Sequence, residues 1–411
     1  MNDDRQQLLE RYADLIVRIG ANVQKGQRLV VNATLDAAEL VRAIARKGYE
    51  AGAALVKVNW SDDAVARLRY DHAADEVFLE EPKWYAGEMI ELAENNAAVV
   101  SVVSSDPDLL KGVPQQRIVN HQKTYGTAMA KYRQYAQSNK FSWCVVAAPS
   151  PAWAAKVFPD VPASEQVDKL WEAIYRTVRA DRDDPVAAWR EHIRSLNQKS
   201  DYLNAQQFRK LHYIAPGTDL TIELPEGHLW VAADSVNEAG TPFVANMPTE
   251  EVFTAPRAGG VNGTVSSTKP LSYGGTLIDR FSLTFENGRI VGVQAEQGED
   301  TLKNLVEMDE GSHYLGEVAL VPHRSPISQS GLLFFNTLFD ENASCHLAIG
   351  SAYAFNLEGG TKLSLDELKA RGLNSSITHV DFMIGSAELD IFGITADGRE
   401  IQLFRKGDWA I

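Results

Sequence analysis

The 411-residue sequence is poor in cysteine: it contains two, Cys144 and Cys345, and no CxxC spacing. This composition excludes a disulfide framework and a structural metal site made of cysteines. The sequence contains no run of about 18 apolar residues, so no transmembrane helix is expected. The acidic stretch 1–5 leads directly into a helical pattern without the features of a signal peptide, which favours a cytoplasmic location.

Positive charge is also scarce, since 40 Lys and Arg stand against 55 Asp and Glu for a net charge of −15. Nucleic acids and anionic membranes usually meet a basic surface, so neither is an expected partner. The hydrophobic fraction of 45% and the charged fraction of 23% are typical of globular proteins. The sequence therefore predicts a globular protein that binds neither nucleic acid nor membrane.

Several well-known motifs are missing. There is no GxGxxG and no GxxxxGK[ST], so nucleotide binding by the first half is weakly supported. There is no HExxH and no GxSxG, which disfavours a zincin peptidase and an α/β-hydrolase. The glycine-rich segment 259–264 lies between strand-like runs, where a turn or bulge is the simpler explanation.

The first half alternates strand-like and helical segments. Short apolar runs predict buried strands at 28–32, 54–58, 97–103 and 143–147. Helical patterns lie between them, including 37–51 and 115–137. This alternation predicts βαβ units and a mostly parallel sheet.

The pattern of predicted secondary structure changes in the second half. Helical patterns dominate 165–208, and short β-rich runs separated by glycine turns follow at 219–224, 229–232, 280–285 and 290–294. A chain of this length is expected to form two domains. We therefore predict an α/β domain over 1–210, followed by a β-rich α+β domain over 211–411.

The segment 376–386 carries His379 and Asp381 in an apolar, β-prone context. Alternate residues of a strand share a face, so the imidazole and the carboxylate are expected to point the same way. Both a hydrogen-bonded pair at a strand end and a pair of metal ligands fit this pattern. The remaining acidic segments decide between these interpretations.

Two of those segments place acids beside apolar runs. Glu250 and Glu251 enter a predicted strand between two prolines, and at most one of two neighbouring strand residues can face a shared site. A solvated acidic turn is the alternative. Glu317 lies inside an apolar strand, as either an edge acid facing water or a buried carboxylate that needs a cation.

The segment 339–353 offers acids, His346 and Tyr353 around small residues. A turn or helix cap at 340–342 and an ordinary core histidine are the alternatives to a ligand role. The acids and histidines of the four segments suffice for a two-metal site with a bridging carboxylate and a shared water. Such a donor set suits zinc, cobalt or manganese.

Taken together, the segments 248–256, 315–319, 341–346 and 379–385 resemble the aminopeptidase T / aminopeptidase S family of metallopeptidases. The order and spacing agree, and the resemblance spans essentially the whole chain. It implies a homodimeric aminopeptidase that removes the N-terminal residue from unblocked peptides, using water activated by two metal ions. The implied metals are zinc or cobalt, with magnesium or manganese as further candidates.

The resemblance also implies six metal ligands, which are Glu250, Glu317, Glu341, His346, His379 and Asp381. It implies a functional tyrosine at Tyr353, which we expect to donate to the developing oxyanion unless it is an ordinary core residue. Glu251 is the candidate general base because it adjoins a ligand, and an orienting role towards its neighbours is the alternative.

Other functions stay open from the residues themselves. Another dinuclear amidohydrolase or a dipeptidase would use the same donors on a different amide. A non-catalytic protein that binds metal or peptide would hold them without turnover. Nucleotide binding by the first domain is the least supported, because the phosphate-binding loop is missing.

Overall fold

The structure is a computed structural model that describes residues 3–411, with side chains from residue 4 onwards. Two compact units are present: one extends to residue 191 and includes 234–248, and the other comprises 192–233 and 249–411. The units are therefore interleaved in the sequence. The simpler division at residue 210 stays a prediction.

The first unit contains a four-stranded sheet made of β1 (Arg28–Thr34), β2 (Leu55–Ser61), β3 (Ala98–Val103) and β4 (Trp143–Ala147). The strand order is β2-β1-β3-β4, and each neighbouring pair is parallel. The predicted parallel sheet is confirmed, and each predicted strand overlaps an observed one.

Helices connect these strands. α2 is amphipathic, since Leu40, Val41 and Ile44 are buried while Arg42 is exposed. The predicted helix 115–137 is interrupted at Met129. The helices of this part of the chain are α1 (Asp3–Leu15), α2 (Ala38–Glu50), α3 (Asp63–His72), α4 (Lys83–Glu94), α5 (Gln115–Ala128), α6 (Ala130–Gln137), α7 (Pro151–Val157), α8 (Ala163–Thr177) and α9 (Pro185–Gln206).

The second unit is rich in strands, as predicted, and its sheets are antiparallel. Its larger sheet contains β5 (Lys210–Ala215), β6 (Thr218–Glu223), β10 (Val261–Ser266), β11 (Leu271–Tyr273), β12 (Thr276–Glu286), β13 (Arg289–Gln297), β17 (Asp390–Ile394), β18 (Glu400–Arg405) and β19 (Asp408–Trp409). The order is β11-β12-β10-β6-β5-β17-β18-β19, with β13 beside β12. The short hairpin of β7 (Asp234–Val236) and β8 (Pro242–Val244) belongs to the first unit.

The smaller sheet of the second unit contains β9 (Val252–Thr254), β14 (Leu315–Leu320), β15 (His346–Gly350) and β16 (His379–Met383). It is antiparallel in the order β16-β15-β14-β9. Short helices accompany it: α10 (Glu299–Val306), α11 (Pro326–Ser330), α12 (Thr337–Asp340) and α13 (Leu365–Ala370).

One predicted strand is wrong. The segment 229–232 forms only an isolated bridge from Val231 to Phe253, next to another from His228 to Leu357.

Among the described residues, every helix is too short or too polar to cross a lipid bilayer.

Candidate metal centre

The smaller sheet has one apolar face and one face that carries acids and histidines. On the apolar side, Val318, Leu347 and Phe382 join the hydrophobic core of the second unit. On the other side, the register aligns Asp381 of β16 with Ala348 of β15, and Ala348 with Glu317 of β14. The small alanine between two carboxylates leaves room above the sheet.

The two histidine candidates lie in the adjoining rows of the same face. His379 is opposite Gly350, one row from Asp381. On the other side of the Asp381 row, His346 is opposite Met383 and Ala319. Because side chains alternate along a strand, all of these residues point to one side of the sheet.

A β-bulge at Gly316 puts Glu317 on this face. Leu315 pairs with Ile349 and Glu317 pairs with Ala348, so the register shifts between them. Without the extra residue, Glu317 would share the core face with Leu315. A Cβ on Gly316 would lie 2.3 Å from the carbonyl oxygen of Ser351, so the bulge requires glycine.

Glu250 and Glu251 are separated by the same alternation. Phe253 pairs with Ala319 and lies on the acidic face, and Glu251, two residues earlier, reaches the same side. Glu251 Oε2 lies 3.2 Å from Nε2 of His346. Glu251, the predicted base, lies close enough to Glu317 and His346 for the three side chains to share one ion. Glu250, the predicted ligand, lies outside this group of three.

Glu250 is nevertheless buried beside the cluster. Its N–H donates to Oδ1 of Asn342 at 2.8 Å, and its Oε2 lies 3.6 Å from Nε2 of His192. The same His192 nitrogen is 2.7 Å from the carbonyl oxygen of Thr249. These contacts hold a second carboxylate next to Glu251.

Two groups of three side chains have donor atoms close enough to share one ion each. Glu251, Glu317 and His346 form the first, and Glu317, His379 and Asp381 form the second. The measured separations are 3.2–3.4 Å between each Nε2 and its carboxylate oxygens. Donors at about 2.0–2.1 Å from a tetrahedral zinc ion are about 3.4 Å apart, so the spacing suits a metal.

Backbone carbonyls orient both histidines. Nδ1 of His346 lies 3.2 Å from the carbonyl oxygen of Ser344, and Nδ1 of His379 lies 2.7 Å from that of Ser351. A proton on Nδ1, donated to these carbonyls, leaves Nε2 towards the carboxylates. This is the arrangement in which a second hydrogen bond fixes a metal-binding imidazole.

The charges in the cluster perturb one another strongly. Burial alone raises the pKa of Glu317, but hydrogen bonds from His346 and His379 outweigh it and lower that pKa to about 2. Burial lowers the pKa of both imidazoles, yet the carboxylates reverse this: they raise the pKa of His379 to about 11 and that of His346 well above its ordinary value. Without a cation, the imidazoles are therefore protonated at neutral pH.

Carboxylates outnumber imidazoles in the cluster. Burial, with repulsion from Glu317 and Asp381, raises the pKa of Glu251 despite its contact with His346. Asp381 Oδ1 is buried and accepts no hydrogen bond from the part of the chain that the structure describes. Buried carboxylates in surplus need cations, so this oxygen-rich set with two imidazoles can hold divalent metal.

Glu341 and Tyr353 lie at the border of the cluster. Burial, then repulsion from Asp381 and Glu251, raises the pKa of Glu341 well above its ordinary value, so it lies near both groups without belonging to either. The Tyr353 ring is 5.0 Å from that of His379 between ring centres. Burial and the nearby carboxylates raise its pKa well above the ordinary value, so its hydroxyl stays protonated.

The sequence did not single out the other side chains around the site. Phe253 and Phe355 contact Tyr353 with ring centres 6.4 and 5.1 Å away and form an aromatic wall beside His379. His192 comes from the distant helix α9, so no local pattern could reveal it. A glycine directly before Glu317, inside an apolar strand, was the one available signal for the bulge.

The buried Glu–His–Asp cluster on a β-rich unit defines a metal-binding protein. The model of the thermophilic metalloprotease (M29) family matches residues 5–409, and the chain belongs to this family. Aminopeptidase AmpS of Bacillus subtilis (strain 168) is 60% identical over 408 residues, covering 99% of this chain and 100% of that protein. Aminopeptidase T of Thermus thermophilus is 43% identical over 403 residues, with 98% of each chain covered.

The solved structure of wild-type AmpT from Thermus thermophilus matches this fold with a TM-score of 0.93 and 42% sequence identity. It covers 98% of this chain and 99% of that chain. The family and these relatives identify the protein as a metallo-aminopeptidase.

Proposed function

We propose that the protein removes N-terminal residues from unblocked peptides with two divalent ions. Glu251, Glu317 and His346 would hold one ion, and Glu317, His379 and Asp381 the other. The observation that carries this proposal is the position of Glu317, whose Oε1 is 3.4 Å from His346 and whose Oε2 is 3.4 Å from His379. A carboxylate with one oxygen towards each group is the bridging ligand that a two-metal site needs.

Glu341 completes the proposed ligand set, because repulsion from Asp381 and Glu251 helps to raise its pKa and a cation would relieve that repulsion. We change the roles expected from sequence for the neighbouring acids: Glu251 becomes a ligand, and Glu250, which faces His192, becomes a residue that orients the segment carrying Glu251. The reason is alternation, since Glu251 shares the face of Phe253. Zinc or cobalt is the proposed metal, with manganese or magnesium as alternatives.

Divalent ions in this site would supply Lewis acidity for attack by water on the peptide carbonyl. A carboxylate of the site would take the proton from the attacking water and return it to the leaving amine. Tyr353, held protonated by its surroundings, would donate its hydroxyl to the developing oxyanion. The carboxylate-rich surroundings favour a cationic group, which suits the free α-ammonium of a peptide.

Hydrolysis of leucyl-p-nitroanilide, a free-amine dipeptide and a free-amine tripeptide, beside their N-acetylated forms, tests the proposal. Each is measured after EDTA treatment and after adding back zinc, cobalt, manganese or magnesium. Cleavage of the free-amine forms alone, lost with EDTA and restored by metal, is expected. Cleavage of acetylated substrates would indicate another amidohydrolase, cleavage of dipeptides alone a dipeptidase, and bound metal without any cleavage a binding protein.

The assembly and location also remain proposals. The homodimer rests on the family resemblance and is tested by light scattering of the purified protein. A cytoplasmic location fits the two free, buried cysteines and is tested by cell fractionation. Limited proteolysis, with cuts sought near residue 210, tests whether 1–210 and 211–411 fold as separate domains.

A further inference from the structure

The loop before His379 is tied to the backbone group that orients this histidine. Nδ1 of His379 lies 2.7 Å from the carbonyl oxygen of Ser351, and the N–H of Ser351 donates to the carbonyl oxygen of Thr378 at 2.8 Å. Gly350 has a φ of 114°, and a Cβ on it would lie 2.2 Å from the same Thr378 oxygen. A displacement of Thr378 would therefore move both the imidazole and the carbonyl that orients it.

Asp309, in the turn before β14, holds this loop through one carboxylate. Its Oδ2 accepts from the N–H of Ile377 at 2.8 Å, and its Oδ1 accepts from the hydroxyl of Ser376 at 2.7 Å. The Ser376 oxygen accepts in turn from the N–H of Thr378 at 3.1 Å. Burial raises the pKa of Asp309, but hydrogen bonds from Ser376 and Ile377 outweigh it and lower that pKa, so the carboxyl group is ionised at neutral pH. One charged group therefore fixes the three residues that precede His379.

Asn374 anchors the other end of the loop. Its side-chain amide donates to the carbonyl oxygens of Gly311 at 2.7 Å and Gly350 at 2.6 Å. Its own backbone carbonyl accepts from the N–H of Ala352 at 3.0 Å. The loop is thus held at residue 374 and again at 376–378, so the position of His379 depends on groups outside the proposed ligand set.

His346 does not depend on this loop. It begins β15, which pairs with β14 on one side and β16 on the other, and its Nδ1 faces the carbonyl of Ser344. His379 instead begins β16, an edge strand of the sheet. The side chain of His379 is 22% exposed, against 1% for His346. Fewer neighbouring strands support an edge residue, so the loop matters more for His379 than for His346.

We propose that Asp309 is a positioning residue that sets the metal affinity of the group of Glu317, His379 and Asp381 (the His379 site). It acts through the loop, without contacting the ion. The other group of three side chains, which contains His346 (the His346 site), keeps its affinity when Asp309 is lost. This inference rests on the proposed two-metal function and adds what controls one half of that site.

Zinc titration of the Asp309→Ala chain against a chelating dye tests this role. We expect the dissociation constant of one equivalent of zinc to rise about 10–100-fold, as for other groups that orient metal ligands, and that of the other equivalent to keep its wild-type value. Asp309→Asn keeps an oxygen as acceptor and should give a smaller rise. Ser376→Ala removes the hydroxyl that joins Asp309 to Thr378 and should act in the same direction; it replaces Asp309→Ala in the test if that variant does not fold.

Asp62→Ala is the matched control. Asp62 caps α3 in the first unit, as Asp309 caps the turn Glu310–His313, so its loss should weaken its own helix without changing either zinc constant. A double variant gives a second readout. Asp309→Ala combined with His379→Ala should bind zinc no more weakly than His379→Ala alone, because both changes act on one site.

Two unchanged zinc constants in Asp309→Ala would overturn the inference, and so would an equal loss at both sites, which indicates a general loss of structure. If the wild-type chain binds no zinc, the two-metal proposal fails separately. The role of Asp309 is then measured on the metal-free chain by NMR of isotope-labelled histidines, with His379→Ala and His346→Ala used for assignment. A shift of the His379 signals in Asp309→Ala without one at His346 supports the role, and unchanged His379 signals contradict it.

Discussion

Replacing Glu317 by glutamine gives a sharp test of the two-metal proposal. The amide keeps the size of the side chain but loses the negative charge that faces both His346 and His379. If Glu317 bridges two ions, this one change weakens both sites. The change His379→Ala, in contrast, should weaken only one of them and leave the donors of Glu251, Glu317 and His346 in place.

The size of the loss can be scaled from the electrostatics of the metal-free chain. Burial raises the pKa of Glu317, yet its two imidazole partners lower it from 4.5 to about 2. This net shift corresponds to about 3 kcal/mol, so each singly charged partner contributes at least about half of that. A divalent ion carries twice the charge, so each ion should lose about 3 kcal/mol, and its dissociation constant should rise about a hundredfold or more.

The assay is elemental analysis of metal per chain after equilibration at fixed free zinc, together with hydrolysis of leucyl-p-nitroanilide. We expect about two ions in the wild-type chain, about one in His379→Ala and close to none in Glu317→Gln at a free zinc level about tenfold above the wild-type dissociation constant. Glu286→Gln serves as the control, because Glu286 is an exposed acid at the end of β12. A Glu317→Gln chain that keeps one full equivalent of metal would refute the bridging role.

Three further changes probe other parts of the site. Glu250→Gln should weaken metal binding or lower kcat by about 10–100-fold, since it removes the charge that faces His192 next to Glu251; wild-type values of both would exclude an orienting role. Tyr353→Phe should lower kcat about a hundredfold with little change in KM, whereas an unchanged kcat would leave Tyr353 as a packing residue. Because carboxylates raise the pKa of His346 and His379 above 7 in the metal-free chain, zinc binding at pH 7 should release protons and tighten as pH rises. Calorimetry in buffers of different ionisation heat measures this release, and a buffer-independent heat would contradict it.

Much of the fold could be predicted because its signals are local. The four parallel strands are short apolar runs between helices, and burial on both faces of a sheet produces such runs. The segment 229–232 is equally apolar but forms only an isolated bridge at Val231. Its apolar character reflects burial of residues such as Trp230, not strand pairing, and a single sequence does not separate these causes.

At the candidate site, too, a local pattern in the sequence leaves two arrangements open. Strand alternation alone indicates that Glu250 and Glu251 point apart, but it does not say which of them faces the cluster. That choice depends on the register of β9 against β14, in which Phe253 meets Ala319 from a distant part of the chain. The family resemblance supplies the segment and not the register, so the roles it implies for the two acids differ from those that we propose from the register.

The β-bulge at Gly316 places Glu317 where a regular strand could not. Regular alternation would put Leu315 and Glu317 on one face, so either a leucine would leave the core or a carboxylate would enter it. The bulge at Gly316 removes this conflict, since Leu315 packs into the core while Glu317 reaches both histidines. A Cβ at residue 316 would strike the carbonyl oxygen of Ser351, the residue whose carbonyl also orients His379. The glycine, the bridging acid and one histidine are therefore positioned by the same few backbone atoms, and a substitution at Gly316 should disturb all three together.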